Sequence, residues 1–497
     1  MSLSQYPFLD AYNPWWSDGE AAFANLPDFH RDVFEDLYAD IQRLPQMISV
    51  TGPRRVGKST LLRQCIRKQI QEHGKEQAQR IVYFTMDDPA LLLPHMDMDR
   101  FFEDLVAEFA SKAKDGVVYL FLDEIQKFPR WELYLKKHYD LKTPVRFVVS
   151  GSASAPIFRK SRESLLGRIH DYQVLPFSFR ECWFYLLENS LGKGEKFAFK
   201  SSDLRRHGRL IQAMPIPAEM IAALDWYAKR FQELRKAASD SQVALANKLA
   251  DYFFEGGFPE VWKLPDILAK QDYLYQNQIE RVIFEDLLVA AEFRKPEMLR
   301  RFYLGLLAEP GRETNVTKLS KDIGITASTI TSYFPLLEAT DLVWRLNKYT
   351  GSKATAKAGN FKSYLVDLAV RNAVMKLTPE RLMADEPVLG MYAENIVANH
   401  LRRWPGLVEL AYYRERNNEL DFIVDLGATR IGIEVKYRAT LNENELNKSR
   451  ALAETLGCEA YVVVCKERTD DALERRLQEK SKIPLAVVPL ADFLLLF

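Results

Sequence analysis

The 497 residues predict an α/β multidomain chain that opens with a phosphate-loop nucleotide-binding domain on a parallel sheet. Three observations carry that prediction. Gly52 to Ser59 reads Gly-Pro-Arg-Arg-Val-Gly-Lys-Ser, a complete G-x-x-x-x-G-K-[ST] loop. Apolar runs recur at 80–85, 117–122 and 145–149, and helical spacing separates them, as in 101–113 and 131–139. Near-continuous apolar strands alternating with helices are what a parallel sheet covered on both faces requires.

The loop's flanks fit its chemistry. Gln46 to Thr51 reads as a buried strand, and Ser59, Leu61, Leu62, Cys65 and Ile66 have helical spacing. Turn amides and the helix N-terminus converge on a polyphosphate, which assigns ATP contact to Gly52, Pro53, Arg54, Arg55, Val56, Gly57, Lys58, Ser59 and Thr60. Lys58 is expected to reach the β- and γ-phosphates, and the Ser59 hydroxyl to hold Mg²⁺.

The apolar run 117–122 ends in Asp123-Glu124, and 145–149 ends in Ser150. Asp123 is expected to support Mg²⁺, and Glu124 to orient and polarise the attacking water. Ser150 is placed to sense the γ-phosphate or that water, although serines at strand ends are also common turn residues. Arg168, in Leu165-Leu166-Gly167-Arg168, is a candidate arginine finger acting in cis or from a neighbouring chain; an ion-paired surface arginine is the alternative. Asn13-Pro14-Trp15-Trp16 either covers the nucleotide base or packs against core.

Composition bounds the rest. This length implies two to four domains, and 47% hydrophobic with 27% charged residues is ordinary for a globular protein. Net charge is zero, so any nucleic-acid contact must come from a local basic face. Cys65, Cys182, Cys458 and Cys465 form no C-x-x-C pair, which argues against a zinc site or a disulfide framework. No apolar run approaches the length of a membrane span and the first residues carry no signal pattern, so a cytoplasmic protein without membrane contact is expected.

After the nucleotide-binding core, expected over 1–178, comes a helical lid or insertion over 179–293, with a polar, Lys/Arg-rich stretch at Ser190–Ala250. A winged helix-turn-helix is expected over 294–376. Asn315–Ile325 reads as a short helix ended by Gly324, and Thr326 caps a second helix. The strand candidates Val343–Leu346 and Lys362–Val366 flank the polar loop Lys348–Gly359. Arg294 to Asn360 holds eleven Lys/Arg against six Asp/Glu, an excess of five positive charges. Ser328, Thr329 and Thr331 are therefore candidates to face a DNA groove, and Lys348, Lys353 and Lys357 to meet phosphates. Pro335 lies inside the second helix and should kink it. Domain or subunit packing is the alternative use of this module.

The last segment, 377–497, carries a second constellation. Glu419–Asp425 and Arg430–Lys436 alternate as strands, and a turn through Leu426–Thr429 pairs Asp425 with Arg430. Counting back sets Asp421 opposite Glu434, with Lys436 two residues along the same face. Facing Cβ atoms lie about 5 Å apart, so the two carboxylates need a cation between them, and Mg²⁺ is the expected one. Glu394 shares a helix face with Val397, Ala398 and Leu401 and should point inward.

Taken together, Gly-Pro-Arg-Arg-Val-Gly-Lys-Ser-Thr-Leu-Leu, Phe-Leu-Asp-Glu-Ile-Gln, Ser-Gly-Ser-Ala-Ser and Leu-Leu-Gly-Arg with Leu-Pro-Phe-Ser-Phe-Arg-Glu resemble a bacterial and archaeal family. That family joins an AAA-type ATPase domain to a C-terminal domain of unknown function with a restriction-endonuclease-like fold. Gly256-Gly257-Phe258-Pro259-Glu260 is similar to the Gly-Gly-x-Pro-Glu segment of such proteins, and the resemblance breaks down across Ser190–Ala250. Glu394, Asp421 and Glu434-x-Lys436 resemble the PD-(D/E)xK nuclease pattern, in which the acids bind metal and the lysine orients or activates water; no proline precedes Asp421. The resemblance implies a Mg²⁺-dependent ATPase acting on DNA in remodelling, translocation, repair or defence. It also implies a C-terminal site for a second Mg²⁺ or Mn²⁺ that cleaves DNA, the alternative being an inherited fold whose carboxylates only ion-pair with Lys436 and Arg438; assembly with further copies of the chain is left open. A competing reading is an ATP-switched regulatory or scaffold protein whose last domain only binds.

Overall fold

The structure, a computed structural model, describes residues 6–93, 96–113, 116–152, 165–190, 201–237, 245–287, 296–351, 361–416, 418–467 and 471–497. The chain divides into two units, Met1–Leu175 with Glu280–Arg294 and Ala339–Asp341, and Pro176–Ile279 with Lys295–Glu338 and Leu342–Phe497. Among the described residues no helix is long and apolar enough to cross a membrane.

The first unit is built on five parallel strands, β1 (Met47–Gly52), β2 (Ile81–Thr85), β3 (Val118–Asp123), β4 (Val145–Ser152) and β5 (Ile169–Gln173), in the order β2-β3-β4-β1-β5. β1 and β3 are buried along their whole length, as their apolar composition demands. Helices Met98–Ser111 and Trp131–Asp140 supply Phe102, Phe109 and Trp131 to a core shared with Phe84, Leu120 and Phe147. Because β4 lies between β1 and β3, the ends of all three strands open side by side.

A parallel edge strand leaves unpaired backbone groups. The N-terminal segment covers them on β2. Asn13 Nδ2 donates to Tyr83 O (3.0 Å), and Tyr83 N–H donates back to Asn13 Oδ1 (2.7 Å), so one side chain imitates the next strand. The Trp15 and Trp16 indoles both donate to Ile81 O, at 3.3 and 2.9 Å. Asn13, Trp15 and Trp16 therefore seal a sheet edge, and the base-covering alternative is set aside.

The second unit holds an eight-stranded sheet: β6 (Glu313–Thr314), β7 (Val343–Lys348), β8 (Phe361–Leu365), β9 (Glu409–Glu415), β10 (Asn418–Asp425), β11 (Arg430–Lys436), β12 (Ala460–Cys465) and β13 (Leu485–Pro489). Its order is β13-β12-β11-β10-β9-β7-β8-β6. β11, β12 and β13 run parallel, while β9–β10–β11 and β7–β8 are antiparallel hairpins. β7 joins β9 in parallel through Asn347↔Ala411 and Lys348↔Tyr412. The expected boundary at 376/377 thus falls between strands of one sheet. Helix Glu386–Leu401 is buried along most of its length.

Helices Phe179–Ser190, Ser201–Gln212, Pro217–Ala237 and Leu245–Glu255 occupy the segment expected to be helical. Helix Val316–Ile323 is capped by the Asn315 side chain and stopped by left-handed Gly324 (φ 68°), and helix Ala327–Ala339 continues through Pro335.

One buried histidine makes stability depend on pH. His400 Nδ1 lies 2.8 Å from Ile396 O and its Nε2 accepts from the Phe179 N–H at 3.4 Å, a set that needs the neutral ring with its proton on Nδ1. Burial pushes its pKa down to about 3 from 6.5. The unfolded chain therefore binds the extra proton more readily, and this contribution is lost as pH falls from about 6.5. Urea titrations at stepped pH are expected to show the loss, and His400→Gln to flatten it; an equal slope in both chains contradicts the assignment.

Candidate functional site

The phosphate loop begins where β1 ends. Gly52 adopts φ 152°, and a Cβ there would stand 2.0 Å from Val174 O, so only glycine fits against the continuation of β5. Arg55 (φ 66°) and Gly57 (φ 95°) turn the loop into helix Lys58–Ala78. Lys58 is buried, and its Nζ donates to Gly52 O (3.0 Å) and Pro53 O (2.8 Å), so the loop is folded around its own ammonium. Arg54 pairs with Glu285 at 3.2 Å. Thr60, next along the helix, is partly exposed.

Asp123, at the tip of β3, is the hub of the site. It accepts from the Ser59 and Ser150 hydroxyls and from Tyr83 OH (2.7 Å). Ser59 and Asp123 thus stand together at the helix start, a hydroxyl and a carboxylate suited to a hard divalent cation. Ser150, expected to sense the γ-phosphate, is turned toward Asp123. Glu124 follows in a left-handed conformation (φ 48°), with its carboxylate held by Gln126, whose amide also reaches Ser152 Oγ at 3.4 Å. Burial raises the Glu124 pKa, and the nearby Lys58 charge opposes that rise.

Three contributors were not legible in sequence. Tyr83 sits inside an apolar strand and reaches Asp123 only because β2 lies beside β3. Gln126 ends the Phe-Leu-Asp-Glu-Ile-Gln run, but nothing in that run assigns it a contact with Glu124. Arg31 is buried and braces the loop from behind, with Nη1 donating to Val56 O (3.0 Å) and Nη2 to Leu175 O (2.9 Å).

Arg168 lies elsewhere. Its carbonyl accepts from Met47 N–H at the start of β1, and its guanidinium pairs with Asp140 at 2.8 and 3.3 Å. The phosphate loop is at the other end of β1, about 17 Å of strand away. A finger acting in cis is therefore ruled out by geometry. The ion-paired alternative describes Arg168 in the single chain.

In the second unit the β10–β11 register runs from Asp425↔Arg430 to Phe422↔Ile433, next to Asp421 and Glu434. Asp421 Oδ2 accepts from Val435 N–H at 2.8 Å. The cation beside these carboxylates is not the expected one. Lys362, buried on β8, places Nζ 2.8 Å from Glu394, 3.0 Å from Glu419 and 3.9 Å from Asp421. Tyr364 OH adds a 2.6 Å bond to Glu394, and Lys436 pairs with Glu434. Burial and Asp421 push the Glu434 carboxyl up to about 8, and burial raises that of Glu394.

Glu394 and Asp421 are thus gathered on Lys362 and Glu434 on Lys436, and among the described residues no three Asp, Glu, His or Cys side chains group to hold a metal. One atom is left over: Glu434 Oε2 is buried without a hydrogen-bond partner. Sequence reading missed Lys362 and Glu419 as members of this cluster. Lys362 lies in a strand whose five residues are all buried, far upstream of its partners, and no local pattern marks it.

Of the residues expected to meet DNA, Ser328 and Thr331 are exposed on helix Ala327–Ala339 and Thr329 is partly so. Their hydroxyls are engaged locally: Thr326 Oγ1 lies 3.1 Å from Ser328 Oγ and 2.8 Å from Thr329 Oγ1, and Thr331 Oγ1 donates to Ala327 O at 2.9 Å. Lys348 ends β7, half-buried. Lys353 and Lys357 lie outside the described residues.

Residues 44–183 match a family model described as an AAA domain (AAA_14). Residues 246–381 and 389–486 match two domains of unknown function, DUF8612 and DUF4143. An uncharacterized protein of Methanocaldococcus jannaschii is 25% identical over 363 residues, 72% of this chain and 67% of its own length. Among solved structures, AMPPCP-bound DnaA from Aquifex aeolicus is 13% identical, with TM-score 0.24, covering 66% of this chain and 92% of its own. The S. cerevisiae Hsp104:casein complex is 16% identical, with TM-score 0.27, covering 61% of this chain and 50% of its own. TM-scores this low carry no argument about this chain. The family match and the five-stranded parallel sheet with its phosphate loop carry one: residues 44–183 form an AAA-type domain.

Proposed function

We propose that the chain hydrolyses ATP at the phosphate loop, with Mg²⁺ held by Ser59 and Asp123. The observation that carries this reading is the strand order, which brings Asp123-Glu124 and Ser150 beside Lys58 and Ser59. Bound Mg²⁺ supplies Lewis-acid polarisation of the phosphate oxygens. Lys58 exchanges the Gly52 and Pro53 carbonyls for the β- and γ-phosphates, a swap of like hydrogen bonds that gains charge complementarity. Glu124 orients the attacking water and accepts its proton. Arg168 completes the site only from a second copy, so turnover depends on assembly. Phosphate release from MgATP by the purified chain, measured across protein concentration, tests the reading; no release at any concentration overturns it.

The partner we propose for this ATPase is DNA, engaged by the helix–Gly324–helix module and its hairpin. The supporting observations are the exposed start of helix Ala327–Ala339 and the half-buried Lys348 at the end of β7, within a segment carrying five excess positive charges. Replacing Lys348, Lys353 and Lys357 with Gln is expected to weaken binding across sequences and reduce the slope of log affinity against log salt by about 2–3. An unchanged slope moves the contact surface elsewhere. Turnover that ignores added DNA favours an ATP-switched scaffold instead. No cleavage step is proposed for Glu394, Asp421, Glu434 and Lys436, because Lys362 and Lys436 pair with those acids.

A further inference from the structure

A buried lysine is costly unless carboxylates surround it, and Lys362 is surrounded. Its Nζ contacts Glu394 from helix Glu386–Leu401 and Glu419 and Asp421 from β10, and it lies over the Tyr412 ring at 5.4 Å. Lys436 neutralises Glu434, and Arg414 stands 3.8 Å from Glu419 at the rim. Counting Glu313, which shares Arg414 at 3.8 Å, five carboxylates face three cations, so the cations offset most of the cluster's charge as it stands. A divalent ion bound by the same oxygens would lie within about 4 Å of the Lys362 ammonium, where a poorly screened interior makes like charges repel strongly.

We propose that Lys362 is the built-in cation of this cluster. It holds, by a covalent tether, the position that a divalent metal holds in PD-(D/E)xK sites. The wild-type cluster consequently takes no divalent ion, whereas the Lys362→Met chain takes one. In that variant Glu394, Glu419 and Asp421 lose their shared partner, and Glu434 Oε2, already buried and unpartnered, becomes a further ligand. The same lysine ties β8 to β10 and to the buried helix, so a single side chain joins the two halves of the eight-stranded sheet where β7 and β9 share only two residue pairs.

The test uses the full chain without nucleotide and Mn²⁺ as probe, read by loss of the free-ion EPR signal and by thermal melting with Mn²⁺ or EDTA. Wild type and Asp421→Asn are expected to bind Mn²⁺ alike, and each to melt at the same temperature in Mn²⁺ as in EDTA. Lys362→Met is expected to gain one site, tighter by about tenfold or more than any in wild type, as removing a facing charge requires. It should melt higher in Mn²⁺ than in EDTA, and adding Asp421→Asn should abolish both gains. A Mn²⁺ site in wild type that Asp421→Asn removes overturns the proposal; this arm needs no Lys362 variant to fold. Equal Mn²⁺ binding by folded Lys362→Met and wild type also overturns it.

Discussion

Glu124→Gln is expected to bind ATP as tightly as wild type and to hydrolyse it about 10²- to 10⁴-fold more slowly, the usual contribution of a positioned base. The amide keeps the shape of the side chain and its contact with Gln126, but it cannot take a proton from water. Lys58→Ala is expected to fail one step earlier. It removes the ammonium around which the loop folds and leaves the Gly52 and Pro53 carbonyls converging without their donor. Equilibrium nucleotide binding combined with phosphate release separates the two defects. Near-normal turnover in Glu124→Gln removes Glu124 from the catalytic role, and tight binding by Lys58→Ala removes Lys58 from the phosphate contact.

The second large effect is structural. In Gly257→Ala the new Cβ would lie 2.3 Å from Phe177 O and 2.7 Å from Phe177 N, and in Gly256→Ala 2.0 Å from Asp367 Oδ1. Neither neighbour is free to withdraw. Phe177 N–H donates to Gly257 O (2.8 Å), while Asp367 accepts from Gly257 N–H (2.7 Å) and Ala369 N–H (2.8 Å). Gly256 also sits at φ 68°, which disfavours alanine. Each substitution is expected to cost about 4 kcal/mol or more, in the range reserved for backbone clashes with buried groups. Urea denaturation followed by a probe in the second unit measures it; a loss below about 1 kcal/mol would mean the junction relaxes and is not tightly packed. Close packing therefore accounts for the two glycines of the Gly-Gly-Phe-Pro-Glu segment.

Local patterns were legible in the sequence. The phosphate loop is eight contiguous residues whose chemistry needs no partner to be read. The β10–β11 register followed from one turn, since pairing Asp425 with Arg430 fixes the pairs that follow as far as Phe422↔Ile433. Four of the five strands of the first sheet announced themselves by apolar runs. The fifth, Ile-His-Asp-Tyr-Gln, did not, because an edge strand with no fully buried residue has little need of apolar ones. What only the tertiary structure decided are contacts between segments distant in sequence. Tyr83 and Ser150 reach Asp123 through strand order, and Asn13 seals β2 from seventy residues away. The two-residue strand β6 is too short to carry a period, and the β7–β9 link that fuses two expected domains rests on two residue pairs. Sequence chemistry asked for a cation between Asp421 and Glu434, and the structure sets Lys362 by Asp421 and Lys436 by Glu434. Whether it is an ion from solution or an ammonium from the chain depends on which strand lies nearby, and β8 brings Lys362.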